Sequence, residues 1–148
     1  MSMSDTDPKI LSVREYFKKV DMGDPAYLQL FSDEVDFFFP KFGRTQGKAG
    51  LIRFAQHIGA TLRSIQHDIA NFRYIVAGNT VVVEGCESGI MADGTRWPDG
   101  RISEGRFCSV FEFQGELISR MYIYVDPDYP STDVGRAMAL RGRVKRAG

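Results

Sequence analysis

The chain is poor in the residues on which most recognisable chemistry is built. Its 148 residues include two cysteines, two histidines and one tryptophan. Cys86 and Cys108 have neither the spacing of a metal finger nor that of a redox pair, which excludes a zinc module and a thioredoxin-type centre. No apolar run reaches the ~20 residues that crossing a bilayer takes, and no stretch near the N-terminus has the form of a signal peptide, so the expected compartment is the reducing cytoplasm. Neither charge is in excess, with 19 Lys and Arg against 19 Asp and Glu. The electrostatic footprint of a nucleic-acid binder is therefore missing. Also missing are a glycine-rich phosphate loop, a nucleophile elbow and a nicotinamide or flavin fingerprint. The expectation is no metal, no cofactor, no nucleic acid and no membrane.

What is present is a well-patterned globular chain, 43% hydrophobic and 12% aromatic. That length and composition suit one domain over residues 1–148, with a core of about 8–128 and a basic C-terminal tail over 129–148. The tail carries Arg136, Arg141, Arg143, Lys145 and Arg146 against the single acid Asp133. It is read as solvated or frayed, with an anionic partner as the alternative.

Asp7-Pro8 and Asp24-Pro25 are helix-start signals. The first opens a helix on Val13, Tyr16, Phe17 and Val20 that ends at Met22-Gly23; the second opens a short helix ending at Ser32-Asp33. Val35 to Phe39 reads as an aromatic strand closed by Pro40, and Phe42 to Gln46 as a loop. From Gly47, Leu51, Phe54, Ala55, Ile58 and Leu62 mark one face of a third helix. Four long strands follow: Ser64 to Val76, Val81 to Met91, Glu104 to Phe113 and Glu116 to Val125. They are joined by Gly78-Asn79, a polar loop around Trp97, and Gln114-Gly115. The order predicts an α+β fold, with helices on one face of a mostly antiparallel sheet. The cysteines read as small buried side chains, and a hairpin centred near Trp97 and Pro98 would set them nearly opposite one another.

The chain resembles the nuclear transport factor 2-like superfamily, closest to its SnoaL-like polyketide cyclase and ketosteroid isomerase branches. The resemblance rests on Tyr16-Phe17-Lys18-Lys19-Val20-Asp21-Met22-Gly23-Asp24, Leu30-Phe31-Ser32-Asp33-Glu34-Val35 and Gly47-Lys48-Ala49-Gly50-Leu51-Ile52-Arg53-Phe54. It continues in Phe111-Glu112-Phe113-Gln114-Gly115-Glu116-Leu117-Ile118 and Tyr124-Val125-Asp126. It implies a cone-shaped, strongly curved sheet wrapped around three N-terminal helices, an internal pocket, and a homodimer through the outer sheet face. Tyr16 matches the helix-one tyrosine of ketosteroid isomerases. Phe39 stands where those enzymes place their proton-shuttling aspartate, and Ser109 near their protonated aspartic acid, which argues against steroid isomerisation by that route.

The resemblance also assigns strand faces. Phe37, Phe39, His67, Glu84, Cys86, Ser88, Arg120, Tyr122, Tyr124 and Asp126 are expected inside, and Met121, Ile123 and Val125 outside as an apolar dimer row. The candidate catalytic residues are His67, Asp126, Tyr16 and Glu84. His67 can take and return a proton near neutral pH. Asp126 is its expected partner, as SnoaL-like cyclases pair an inward aspartate with a histidine. Glu84, desolvated between Val82 and Cys86, suits general acid or base work. Candidate substrate contacts are Phe37, Phe39, Phe54, Cys86, Ser88, Trp97, Ser109, Arg120, Tyr122 and Tyr124.

Each has a structural reading beside the functional one. His67 could be satisfied by a carbonyl, Asp126 could start a turn before Pro127, and Glu84 could pair with Arg120. The expected function is cofactor-independent acid-base chemistry (cyclisation, isomerisation or dehydration) on a hydrophobic molecule bearing a carbonyl or hydroxyl. The alternatives are a non-catalytic binding or accessory domain, and assembly with a larger subunit, as in the small subunits of ring-hydroxylating dioxygenases.

Overall fold

The structure is a computed structural model that describes residues 6–147, with side chains over 6–142. Helix α1 spans Pro8–Met22; Asp7 accepts from the Lys9 amide at 2.9 Å, and Gly23 closes the helix at φ 68°. Such a left-handed stop suits glycine, which has no Cβ to clash. Asp24 caps the next segment through the Ala26 amide at 2.9 Å. That segment, Pro25–Leu30, is a 3₁₀ turn rather than an α-helix, and strand β1 begins earlier than expected, over Phe31–Phe39. The expected loop before the third helix contains β2, Gly43–Gln46, and the helix itself, α2, spans Lys48–Thr61.

The strand expected over Ser64 to Val76 is broken in two. β3, Leu62–His67, and β4, Arg73–Ala77, flank a 3₁₀ turn at Ile69–Asn71, and both pair antiparallel with the long β5, Thr80–Met91. A two-residue β6, Arg96–Trp97, also pairs with β5. β7, Arg106–Gln114, and β8, Leu117–Val125, form the last hairpin. The sheet runs β2-β1-β8-β7-β5-β3, antiparallel except where β1 lies parallel to β8. The tail carries a helix, α3, over Val134–Ala147; Arg136 on it is exposed, and the Arg141 guanidinium donates to the Arg101 carbonyl. The side chains of Arg143, Lys145 and Arg146 lie outside the described residues.

The inner face of the curved sheet is the core. Phe31, Val35, Phe37 and Phe39 of β1 are buried, as are Val81 and Val83 of β5, Phe107, Ser109, Phe111 and Phe113 of β7, and Ile118 and Met121 of β8. Tyr16 and Phe17 of α1 pack edge-on against this face, with Phe17 4.9 Å from Phe72 and Tyr16 5.9 Å from Phe111, ring centre to ring centre. An aromatic layer of this kind adds edge-to-face attraction to the area it buries.

Two strands present the opposite faces from those expected. On β5 the buried residues are Val81, Val83 and Glu87, so Glu84, Cys86 and Ser88 point outward. On β8, Phe37 of β1 pairs with Met121, placing Met121 and Ile123 inside, while Phe38 pairs with Tyr122, placing Tyr122 and Tyr124 outside. Side chains alternate along a strand, so one wrong phase moves every residue to the other face. Cys86 and Cys108 are accordingly half-buried on the outer face and free, and the register pairs Cys86 with Arg106 and Cys108 with Glu84. They are neither buried nor directly opposed.

Candidate active site

The expected His67 and Asp126 pair does not form. Asp126 is exposed, and its carboxylate accepts the Asp128 amide at 2.9 Å in the turn that follows β8. His67 instead lies between two other carboxylates. Its Nδ1 is 2.5 Å from Asp21 Oδ1, and its Nε2 is 3.0 Å from Glu87 Oε2. Side-chain exposure is 6% for His67, 11% for Asp21 and 7% for Glu87, so the three are withdrawn from water together.

Each member is placed by a separate element. Asp21 lies in the last turn of α1, where the helix dipole disfavours an acid. Its compensation is local: Oδ2 also accepts the His67 amide at 2.8 Å. His67 ends β3 and is the register partner of Glu87 on β5, which makes them a cross-strand pair. Glu87 is held in turn by its amide, which donates to the Gly105 carbonyl at 2.8 Å. Gly105 has φ 69°, and a Cβ there would stand 2.0 Å from the Glu87 carbonyl, so the approach requires glycine.

Burial alone would push the His67 imidazole down. The hydrogen bonds and charges of Asp21 and Glu87 outweigh it and lift the ring to about 9. His67 is thus an imidazolium at neutral pH, donating from both nitrogens. One Glu87 oxygen accepts from it; the other has no partner among the described residues.

His67 and Glu87 border an inner chamber of about 70 Å³ lined also by Tyr16, Phe39, Phe54, Ser109, Ile123 and Tyr129, among others. Space of that size takes a few waters or one small polar group. Tyr16, Val20, Phe54, Ile58 and Ile65 also line a larger groove of about 740 Å³ between α1 and α2, which Asp21, Leu28, Leu51 and Met121 border as well. Asp21 therefore meets the groove, Glu87 meets the chamber, and His67 connects them. Burial drives the Tyr16 hydroxyl far above its ordinary range, with the charges of Tyr27, Glu87 and Asp21 adding to it, so it stays a neutral donor.

Of the expected site residues, Tyr16, Phe39, Phe54, His67 and Ser109 do line the chamber. Phe37 is fully buried and packs on Phe54 at 4.7 Å without reaching it. Trp97, expected to contact substrate, is buried and does not line the chamber; its ring lies 4.6 Å from that of Tyr129. Glu84, Cys86, Ser88, Arg120, Tyr122, Tyr124 and Asp126 lie on or beyond the outer face. There Arg120 pairs with Glu112 at 3.2 Å rather than with Glu84, and stacks on Tyr122. Tyr122 donates to Asp36 at 3.1 Å. Asp21, Glu87 and Tyr129 were not anticipated. An acid at the C-terminal end of a helix was the available signal for Asp21.

Residues 13–121 match the family described as SnoaL-like domain. The chain belongs to that family. An NTF2-like protein of unknown function from Burkholderia pseudomallei is similar in structure at 18% identity and TM-score 0.70, over 82% of this chain and 92% of that one. TerC, co-crystallized with polyporic acid, is similar at 20% identity and TM-score 0.67, over 81% and 92%. A candidate polyketide cyclase from Xanthomonas campestris is similar at 18% identity and TM-score 0.66, over 80% and 90%. These likenesses establish the NTF2-like cone for this SnoaL-like chain. No curated protein matches it. Among the described residues, no helix is long and apolar enough to cross a membrane, and no group of three or more His, Cys, Asp or Glu is arranged to hold a metal ion.

Proposed function

We propose that this SnoaL-like chain is a cofactor-independent enzyme performing acid-base chemistry on a hydrophobic molecule that carries a carbonyl or hydroxyl. The observation that carries the reading is a carboxylate, Glu87, buried beside an imidazolium and facing a chamber lined with hydroxyls. The apolar body of the substrate lies in the groove and its oxygen-bearing end reaches the chamber. The free oxygen of Glu87 takes a proton from the carbon next to the carbonyl, and the C–H electron pair moves into an enolate. The Tyr16 hydroxyl donates to the enolate oxygen. Glu87 then returns the proton to a different atom, which gives isomerisation, or the enolate carbon attacks a second carbonyl, whose π pair moves to its oxygen, and the alkoxide so formed takes the proton from Glu87, which gives cyclisation. His67 keeps Glu87 oriented between turnovers.

Proton exchange tests this without knowledge of the substrate. In heavy water, the α-hydrogens of 2-tetralone should exchange faster with the protein than with buffer, as followed by NMR. Glu87→Gln and His67→Gln should each lower that rate by ~100-fold or more while leaving ketone affinity nearly unchanged. Background exchange with the unmodified protein would sink the reading. The rival is a non-catalytic binding domain. It is favoured by one feature: both His67 nitrogens are already satisfied within the protein, as in a structural clasp. Binding of the ketone without exchange would support it.

The proposed assembly is a homodimer through the outer sheet face. Phe38, Tyr122 and Tyr124 form an aromatic cluster there, with Phe38 5.5 and 5.9 Å from the two tyrosines, and Ile75 is 52% exposed on the same side. A second copy covering these rings would remove exposed apolar area from the sheet.

A further inference from the structure

Tyr129 lies beyond the segment that matches the family, which ends at residue 121. It is nevertheless 6% exposed and lines the chamber together with Glu87. Its backbone is fixed by the turn after β8: the Asp128 carboxylate accepts from the Thr132 amide and hydroxyl and from the Asp133 amide, while Asp126 accepts from the Asp128 amide. Its ring is fixed by Trp97, edge-on at 4.6 Å. The hydroxyl, in contrast, has no hydrogen-bond partner among the described residues; Tyr129 borders both the chamber and a second pocket beside Phe39 and His57, and burial followed by the nearby charge of Glu87 raises its pKa. Tyr16 and Ser109, residues 7% and 2% exposed, also line the chamber, and their hydroxyls have no hydrogen-bond partner among the described residues.

Hydroxyls that face a narrow chamber and have no partner in the protein keep hydrogen-bonding capacity that a ligand can take up. The chamber therefore offers one acceptor, the free oxygen of Glu87, and three hydroxyls able to donate. We infer that Tyr129 binds the oxygen atom of the substrate's head group, which is of the hydroxyl-bearing or enolic class: that oxygen accepts from Tyr129, which leaves the free oxygen of Glu87 for the proton it transfers. This rests on the chamber being the substrate site, and it makes the turn after β8 part of that site.

The test uses two probes of nearly equal shape in slightly acidic buffer, 4-nitrophenol and 4-nitrotoluene. Both quench indole emission, and Trp97 is the single tryptophan. Tyr129→Phe keeps the ring and its contact with Trp97 and removes only the hydroxyl. The expected result is 4-nitrophenol binding about five-fold weaker in Tyr129→Phe, the worth of one hydrogen bond, with 4-nitrotoluene unchanged. Equal weakening of both probes would show a packing role and overturn the inference. So would unchanged 4-nitrophenol affinity, or no 4-nitrophenol binding by the unmodified chain at millimolar concentration. No turnover is involved, so a protein that discriminates the probes but exchanges no protons would defeat the enzymatic reading alone.

Discussion

Glu84 and Glu87 stand three residues apart on β5, yet one is exposed on the outer face and the other is 8% exposed inside the cone. Glu84 faces Arg73 and Cys108 across its neighbouring strands. Glu87 faces a histidine that a second carboxylate holds from behind. A buried carboxylate persists only where a partner compensates its desolvation. The difference between the two is thus made by Asp21 and His67, neither of which is near in sequence.

The comparison breaks most visibly if His67 is removed. His67→Ala leaves two carboxylates buried without their shared cation and should lower unfolding free energy by about 3–5 kcal/mol. Glu84→Ala should change it by no more than about 0.5 kcal/mol. Denaturant unfolding of the two variants measures both, and equal effects would erase the distinction between the faces.

The pH dependence of stability should differ in the same sense. The folded His67 is raised from 6.5 to about 9, so its contribution is fully present below pH 6.5 and is lost as pH rises through 9. The loss amounts to about 3 kcal/mol by the usual conversion of a pKa shift. His67→Gln should remove this component of the alkaline decline.

A smaller contrast separates the faces of β8. Ile123→Arg puts a charge against the chamber and should destabilise the chain by about 2 kcal/mol. Tyr124→Arg, on a residue 48% exposed, should leave unfolding within about 0.5 kcal/mol while shifting sedimentation from dimer to monomer. A monomeric unmodified chain at micromolar concentration would remove the dimer.

Helices α1 and α2 were legible because an Asp-Pro start and 3.6-residue spacing are local signals, whereas the second Asp-Pro opens a 3₁₀ turn and α3 reads in the sequence as a frayed tail. The faces of β5 were not legible. Val81, Val82 and Val83 run consecutively and carry no phase. Beyond them, Glu84-Cys86-Ser88 reads as a better interior than Gly85-Glu87-Gly89. The glycine row is inside because neighbours fill its space: a Cβ at Gly85 would lie 2.5 Å from the Phe72 ring, and one at Gly89 would lie 2.2 Å from the Ser64 carbonyl. Glycines on alternate strand positions mark such close approach. On β8, the register shift opposite Glu112 and Phe113 adds a further break in phase. His67 was identified from its chemistry, but its partners come from the end of α1 and from β5, adjacent in the sheet but not next in sequence, contacts that no local pattern encodes.

The central claim is that Asp21 and Glu87 hold His67 as a buried imidazolium. Ring-nitrogen NMR across a pH series reads this directly, with His67→Gln assigning the signal of His67 between the two histidines. The account predicts that both ring nitrogens of His67 carry protons at neutral pH, that the ring loses one only near pH 9, and that Glu87→Gln lowers that midpoint. A His67 ring that is already neutral at pH 7, with one bare nitrogen, would contradict it.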